Sequence, residues 1–275
     1  MNRNILALVD FSDHSRAALQ AASQWSQLTD SELHIFHKVE LVAPGFMSSS
    51  FKEELQTDAE NATRDELKNF VFQAIGYVPS DDKMYITADR LLPEVEKLIQ
   101  QVDFQLVFLG TKGKNKLSKY LFGSTVHGIL DNFELNIAVI PEKKVLTTPI
   151  HISVAAHPGI PVRTELLRIL ISSLREGPEK LEFISINDDT TDSGSSETYL
   201  KNLVAQFPEV QNSNYEVFIG EDILRELKNY VKTHDNAVLI VQKGPRGLKD
   251  SFFRSFLVDD LVNDASIPLI ILPET

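Results

Sequence analysis

The stretch that decides the fold reads, over residues 106–125, LVFLGTKGKNKLSKYLFGST. It begins with four consecutive apolar residues, as expected of a central strand that is buried on both faces of a parallel sheet. Apolar residues at helical spacing follow from Tyr120 to Leu130. Glycines at 110, 113 and 123 lie in and around the turn between strand and helix, where glycine lets the backbone approach a phosphate and donate N–H hydrogen bonds to it. The stretch therefore predicts a phosphate or nucleotide site in an α/β protein.

The composition is that of a globular protein with room for about two domains. Of the 275 residues, 43% are hydrophobic and 24% are charged, so each half can form an apolar core. No run approaches the roughly 20 apolar residues that span a bilayer, and the apolar run before Asp10 is too short for a signal peptide. The absence of cysteine excludes disulfides and thiolate chemistry, and we expect a cytoplasmic protein that does not associate with membranes.

The charge of the chain argues against nucleic acid as a partner. The net charge is −12, whereas a general nucleic-acid binder needs a basic surface. Four lysines within eight residues are the local exception, and these are Lys112, Lys114, Lys116 and Lys119. Such lysines often belong to a solvated loop, but their position between glycines in an acidic chain favours the binding of an anion.

Strand and helix patterns alternate along the chain, which indicates a mostly parallel sheet with helices on both faces. In the first half the predicted strands lie near 3–9, 32–38, 83–87, 105–110 and 136–140, and the predicted helices near 13–28, 51–75, 91–102 and 119–132. Residues 41–50 contain a Pro-Gly pair and three serines, and they are predicted to form a loop.

The second half of the chain repeats the first. Residues 89–142 align with 221–274 without a gap, at an offset of 132. At the first strand the offset is about 147, because the second copy has a shorter loop after its second strand. A match of this length, in register with the strands and helices, indicates a duplication. We place the boundary in the polar stretch 143–149, which gives domains at 1–145 and 146–275.

Three strand ends of the first half are expected to form one crevice. Asp10 ends the first strand, Val39 the second and Gly110 the fourth. Ligands of open parallel sheets bind outside the carboxyl ends of the strands, where the strand order reverses. The predicted site is therefore assembled from residues far apart in the sequence.

The glycine spacing also matches a known pattern, which is Gly, two residues, Gly, nine residues, Gly and then Ser or Thr. Gly110, Gly113, Gly123 and Ser124 satisfy every position. With this pattern, and with Val9-Asp10-Phe11-Ser12 at the first strand, the chain resembles the universal stress protein family in its tandem form. The resemblance implies an α/β fold of two tandem Rossmann-like domains, of the adenine nucleotide alpha hydrolase-like type. Each would be a five-stranded parallel sheet with helices on both faces.

The resemblance further implies a bound adenine nucleotide, ATP or else ADP or AMP, with Mg²⁺ or Mn²⁺ as an optional companion of the phosphates. Gly110 and Gly113 would let the loop pass the ribose and α-phosphate, and the helix beginning at Gly123 would hold the phosphates at its N-terminus. The residues assigned to the nucleotide are Leu8, Asp10, Val39, Leu109, Gly110, Gly113, Gly123, Ser124 and Thr125. For Asp10 the alternative role is capping of the helix at 13–28, and for Ser124 it is an ordinary helix cap.

The second half departs from the pattern. At the offset of 132, Gly110 is replaced by Gln242, Gly123 by Ser255 and Ser124 by Phe256. His157 stands in place of Asp10, either as a relict of a lost site or as a functional residue in its own right. We therefore expect one nucleotide per chain, bound by the first half.

Metal and catalytic sites find little support in the sequence. His34 and His37 are three residues apart on a predicted strand, so their side chains point to opposite faces and do not share a metal. No Gly-x-Ser-x-Gly motif is present, and no general base stands near Ser124. We assign no catalytic residue and no metal site, and any ATP hydrolysis is expected to be slow.

The resemblance therefore implies a cytoplasmic stress-response protein that acts as a nucleotide-dependent switch on an unidentified protein partner. It also implies that the two sheets pair around their last strands, as in the dimers of the family, to form an internal pseudo-dimer, which leaves room for a further homodimer. One alternative is a protein-interaction or small-ligand module in which both crevices are vestigial, although the intact first motif argues against it. A second alternative is an ATP-using enzyme, for which the sequence offers no substrate site.

Overall fold

The computed structural model describes residues 4–41, 49–111, 128–130, 132–142, 146, 150–187, 193–220, 223–234, 237–244 and 268–274. The strands are β1 (Asn4–Val9), β2 (Glu32–Lys38), β3 (Met84–Thr87), β4 (Phe104–Gly110), β5 (Ile137–Ile140), β6 (His151–Ala155), β7 (Lys180–Asn187), β8 (Ser213–Ile219), β9 (Ala237–Gln242) and β10 (Leu269–Leu272). The helices are α1 (Asp13–Thr29), α2 (Ser49–Ile75), α3 (Leu91–Gln101), α4 (Thr164–Ser173), α5 (Ser193–Ala205) and α6 (Ile223–Thr233). Residues 128–130 are helical as well, within the helix predicted for 119–132.

All strands belong to one ten-stranded sheet, in the order β3-β2-β1-β4-β5-β10-β9-β6-β7-β8. Within each half the five strands are parallel. The halves are joined by β5 and β10, which pair antiparallel. The predicted α/β architecture is therefore confirmed, and the two last strands meet at the centre of the sheet.

The strand register repeats between the halves, except for an irregularity at Asn4 and Ile5 of β1. Leu106 faces Ile5 in the first half, and Val238 faces Ile152 in the second, as the offsets of 132 and 147 require. At the junction, Ala138 faces Ile270, which is its own equivalent 132 residues later. Corresponding residues that face each other across a junction are the mark of a two-fold arrangement.

Two apolar layers cover the sheet, one on each face. One layer contains α1, α2, α4 and α5, and the other contains α3 and α6. Alanines at four positions of α1 are buried (Ala17, Ala18, Ala21 and Ala22), so the helix axis can lie close to the strands. Trp25 of the same helix is also buried and packs near Phe108 of β4.

In the described part of the chain, no helix is long and apolar enough to cross a membrane. The predicted loop at 41–50 lies mostly outside the described residues, because only Leu41 and the start of α2 belong to them. The domain boundary predicted at 143–149 falls there too, except for Leu146, and the division into 1–145 and 146–275 stays a prediction.

Candidate functional site

The candidate site lies at the carboxyl ends of β1, β2 and β4. The strand order runs β3-β2-β1 on one side and β4-β5 on the other, so the direction of winding reverses between β1 and β4. Asp10 follows β1, Val39 follows β2 and Gly110 ends β4. The structure thus brings these three predicted site residues to the edge of the sheet where ligands of this architecture bind.

Asp10 organises the turn that leads into α1. One carboxylate oxygen of Asp10 accepts hydrogen bonds from the backbone N–H (3.1 Å) and the hydroxyl of Ser12. The Ser12 hydroxyl in turn accepts from the N–H of Ser15 at 3.1 Å, which makes Ser12 the N-cap of α1. Asp10 therefore supports the cap rather than being the cap itself. Phe11, between them, adopts a left-handed conformation with φ of 62°.

Phe11 and His37 form an aromatic wall next to Asp10. Their ring centroids are 4.4 Å apart, and the Phe11 ring also meets Phe70 of α2 edge-on at 5.4 Å. The Nδ1–H of His37 donates to the carbonyl of Val9 at 2.8 Å, which fixes the imidazole. Sequence reasoning missed this wall, because neither a left-handed Phe nor a contact between residues on different strands leaves a local sequence signal.

The apolar residues assigned to the nucleotide are largely core residues. Leu8 and Leu109 are buried in the layer that contains α3. Val39 is buried at the end of β2, and its N–H donates to the carbonyl of Thr87 at 2.7 Å. The roles of these three residues at a nucleotide stay predictions.

Gly110 is packed against the first turn of α1. A Cβ atom at this position would lie 2.6 Å from the backbone carbonyl carbon and oxygen of His14. Real Cβ contacts are not that short, so a larger residue would force the strand and the helix apart. Glycine at 110 consequently has a structural reason that does not depend on any ligand.

Thr111, His14 and Glu142 form a polar chain across the mouth of the site. Thr111 Oγ1 and His14 Nδ1 share a hydrogen bond of 3.0 Å, and His14 Nε2 lies 3.5 Å from Glu142 Oε2. The Thr111 N–H donates to the carbonyl of Ile140 at 3.3 Å. The chain ties the start of the glycine-rich loop to α1 and to the segment after β5. From the sequence alone His14 has no partner in a ligand spacing, and only the topology supplies one.

The remaining predicted site residues lie outside the described residues. They are Gly113, Gly123, Ser124 and Thr125, together with Lys112, Lys114, Lys116 and Lys119. Their roles at the phosphates stay predictions.

The equivalent edge of the second half is occupied by Gln242. This side chain is buried, its Oε1 accepts from the N–H of Arg163 at 3.0 Å, and its Nε2 donates to the carbonyl of Pro273. Arg163 is the N-cap residue of α4. The Gln242 side chain therefore connects β9 to the start of α4. In the first half the equivalent residue is a glycine, and β4 contacts the backbone of α1 directly.

His157 takes part in a turn at the end of β6. Its Nδ1 accepts from the N–H of Gly159 at 3.0 Å, and its carbonyl accepts from the N–H of Ile160. α4 starts only at Thr164, so the connection is longer than the one after β1. His157 thus follows β6 as Asp10 follows β1, but the turn that connects the strand to the next helix is different.

Titratable groups are also buried at the opposite, amino-terminal edge of the sheet. His34 of β2 contacts the hydroxyl of Tyr85 (3.1 Å) and Oδ1 of Asn4 (3.2 Å). Burial, and then the charge of Lys83, lowers the pKa of His34, so the neutral ring is favoured. His34 and His37 lie on opposite faces of β2 as predicted, and the described residues contain no group of three or more His, Asp or Glu able to hold a metal.

The position equivalent to His34 in the second half holds a carboxylate, Glu182 of β7. Glu182 accepts a hydrogen bond from the Tyr230 hydroxyl and pairs with Lys180 at 2.9 Å. Tyr230 also lies 2.8 Å from Ser153 Oγ. Burial raises the pKa of Glu182, but the hydrogen bonds from Tyr230 and Lys180 outweigh it, and the net pKa is lowered. Sequence reasoning did not single out Glu182.

The order of the strands, and the crevice at the carboxyl ends of β1, β2 and β4, place the chain in the doubly wound α/β class of proteins. The family model described as the universal stress protein family matches residues 1–141. The chain therefore belongs to the universal stress protein family. Comparison with curated proteins gave no significant match.

Solved structures resemble the chain along its whole length. A universal stress protein from Archaeoglobus fulgidus DSM 4304 superimposes with a TM-score of 0.69 at 12% identity, covering 98% of both chains. A functionally unknown protein from Pseudomonas aeruginosa PAO1 gives a TM-score of 0.59 at 14% identity, covering 99% of this chain and 92% of that one. At these identities the likeness concerns the fold.

Proposed function

We propose that this universal stress protein is a cytoplasmic stress-response switch that binds ATP, or a related adenine nucleotide, in the crevice of its first half. The observation that carries the proposal is the glycine motif that begins at Gly110. Its first member lies at the carboxyl end of β4 beside β1, at the reversal of the strand order. In this position a glycine-rich loop presents backbone N–H groups to phosphates.

The polar chain across the mouth of the site supports the proposal. Thr111, the first residue of the loop, is anchored through His14 to α1 and through its N–H to Ile140. A loop held at its base loses less conformational entropy when it closes on a ligand. Asp10 and the backbone of Val39 would then address the ribose and the base, with Leu8 and Leu109 as apolar contacts.

The contrast between the two halves supports binding of one nucleotide per chain. In the first half Gly110 leaves no side chain at the end of β4. In the second half the buried Gln242 side chain reaches the N-terminus of α4 and uses its N–H groups and carbonyl for internal hydrogen bonds. A phosphate would have to displace these bonds, and Phe256 in place of Ser124 removes a hydroxyl donor.

We favour a switch over an efficient enzyme because the sequence offers no general base near Ser124 and no separate substrate site. Mg²⁺ or Mn²⁺ would be held by the nucleotide's own phosphates and water, since the described residues supply no dedicated carboxylate cage. The protein partner of the switch remains to be identified by experiment.

The direct test is to identify what the protein carries from the cell. Mass spectrometry of protein purified gently, without added nucleotide, should find an adenine nucleotide in less than or about one equivalent. Gly123→Val should abolish this co-purification, because a side chain at the helix start blocks the phosphates. Ser255→Val, at the equivalent position of the second half, is the matched control and should leave it unchanged.

Absence of any adenine nucleotide, together with no binding of added ATP, would overturn the proposal. That outcome would favour the alternative of a protein-interaction module with both crevices vestigial.

A further inference from the structure

A second cavity lies beyond the nucleotide crevice, at the carboxyl ends of β2 and β3. Its volume is about 320 Å³, in the range of small-molecule sites. It is enclosed by the end of β2, the segment between β3 and α3, and the first two turns of α2. The lining residues are Lys38, Leu41, Lys52, Leu55, Gln56, Ala88, Asp89 and Arg90.

The cavity is basic although the chain is acidic. Lys38, Lys52 and Arg90 face a single carboxylate, that of Asp89, whereas the whole chain carries a net charge of −12. None of the three cations forms an ion pair with any carboxylate of the described part of the chain. Cationic side chains that converge on a concave surface without internal partners attract anions.

The acidic groups near the cavity already serve as internal acceptors. Asp89 Oδ1 accepts from Gln56 Nε2 at 2.9 Å, and Glu60 Oε1 accepts from the N–H of Ala88 at 2.8 Å. The N–H of Asp89 donates to Thr87 Oγ1 at 3.0 Å. The first two bonds tie the segment 88–90 to α2 and the third ties it to the end of β3, so one wall of the cavity is fixed before any ligand arrives.

The cavity also has an apolar side, formed by Leu41, Leu55 and Ala88. Its ligand should therefore combine an anionic group with an apolar part. None of the described residues assigned to the nucleotide lines this cavity.

We propose that this cavity binds a small organic phosphate monoester. Its phosphate dianion lies among Lys38, Lys52 and Arg90, and its apolar part lies against Leu41, Leu55 and Ala88. Because none of the assigned nucleotide residues that the structure describes lines this cavity, we expect the protein to hold both ligands at once.

Phenyl phosphate is a suitable probe, with binding followed by calorimetry and by the backbone amide NMR shifts of the full chain. We expect saturable binding that weakens at high salt, because the contacts are charge–charge, and shifts at residues 88–90. The variant K38Q/K52Q/R90Q should lose about tenfold or more in affinity. The variant R168Q/R175Q/K201Q removes the same charge from three exposed ion pairs outside the cavity and should bind as the unchanged protein does.

Three results would overturn the proposal. One is no saturable binding of phenyl phosphate at millimolar concentration, and another is equal affinity in both triple variants. The third is displacement of phenyl phosphate by ATP in the unchanged protein, which would place the probe in the nucleotide crevice. If ATP does not bind at all, the saturation test and the comparison of the two triple variants can still be made. The nucleotide proposal and the phosphate-monoester proposal are therefore tested separately.

Discussion

Gly110 and Gln242 occupy equivalent positions, but the strand end contacts the neighbouring helix differently in the two halves. In the first half the strand meets the backbone of α1 at His14, with no room for a Cβ atom. In the second half α4 begins later, and the Gln242 side chain spans the gap to Arg163. The glycine of the first half and the glutamine of the second half are therefore each accompanied by a different turn before the helix.

Replacement of Gly110 by alanine should destabilise the protein even without a ligand. The added Cβ would meet backbone atoms at 2.6 Å, and overpacking of this kind costs about 1–3 kcal/mol of unfolding free energy. Urea unfolding measures the change. Gly128→Ala is the control, because its Cβ would meet only the Leu92 side chain at 3.1 Å and alanine favours the helix. Equal stability of Gly110→Ala and the unchanged protein would contradict the packing role of Gly110.

At the scale of the elements, β2 and β7 each bury a polar group near their amino ends. His34 in β2 is satisfied as a neutral ring, because its Nε2–H donates to Asn4 Oδ1 and its Nδ1 accepts from Tyr85. Glu182 in β7 is satisfied as an anion by Tyr230 and Lys180. The two halves thus hold a neutral ring and an anion, respectively, at equivalent positions.

Stability should fall on acidification from about pH 6.5, in part because of His34. The pKa of His34 is lowered in the folded state, so the unfolded chain binds a proton first as the pH drops below the ordinary histidine value of about 6.5. Each proton bound only by the unfolded chain removes at most about 1.4 kcal/mol per pH unit. His34→Gln should flatten the pH dependence of unfolding free energy between pH 7 and pH 5. An unchanged slope would contradict the assignment.

Glu182 should stabilise the fold at neutral pH and lose this effect in acid. Its pKa is lowered on folding, so the stabilisation is present above the unfolded carboxyl value of about 4.3 and disappears as the pH falls through the folded value. Glu182→Gln should cost about 1–3 kcal/mol at pH 7, and the difference from the unchanged protein should shrink toward pH 4. Glu209→Gln, in an exposed pair with Arg168, serves as the control with little effect. A cost for Glu182→Gln that is the same at both pH values would contradict this reading.

The strands were predictable because each is a short apolar run bounded by polar or turn residues. The five strands of the first half begin and end within one residue of their predicted positions. The candidate site was only partly predictable: the positions of Asp10, Val39 and Gly110 follow from strand order. The left-handed Phe11, the contact of Gly110 with His14 and the chain through Thr111 and Glu142 depend on tertiary packing, which no local pattern encodes.

At the scale of the whole molecule, one sheet runs through both halves and has its approximate two-fold axis at Ala138 and Ile270. Both residues are buried. The face-to-face pairing of equivalent residues gives the single chain the geometry of a symmetric dimer. The copy that has lost the glycine motif can thus serve as the permanent partner of the copy that keeps it.

A charge at the axis should disrupt this junction. Ala138→Asp buries an unpaired carboxylate in the apolar layer that covers the junction of β5 and β10, and we expect a loss of about 3 kcal/mol or more of unfolding free energy. Urea unfolding followed by circular dichroism tests this. Ala205→Asp, at an exposed position near the end of α5, is the control and should change the stability by less than about 0.5 kcal/mol. A loss below about 1 kcal/mol in Ala138→Asp would show that the junction contributes little.

The central claim is that the chain binds one adenine nucleotide, in its first half. Titration of nucleotide-free protein with ATP in a calorimeter, in the presence of Mg²⁺, tests it most directly. The account predicts one binding site per chain in the unchanged protein and in Ser255→Val, and none in Gly123→Val. Two sites per chain, no heat of binding, or unchanged binding in Gly123→Val would contradict it.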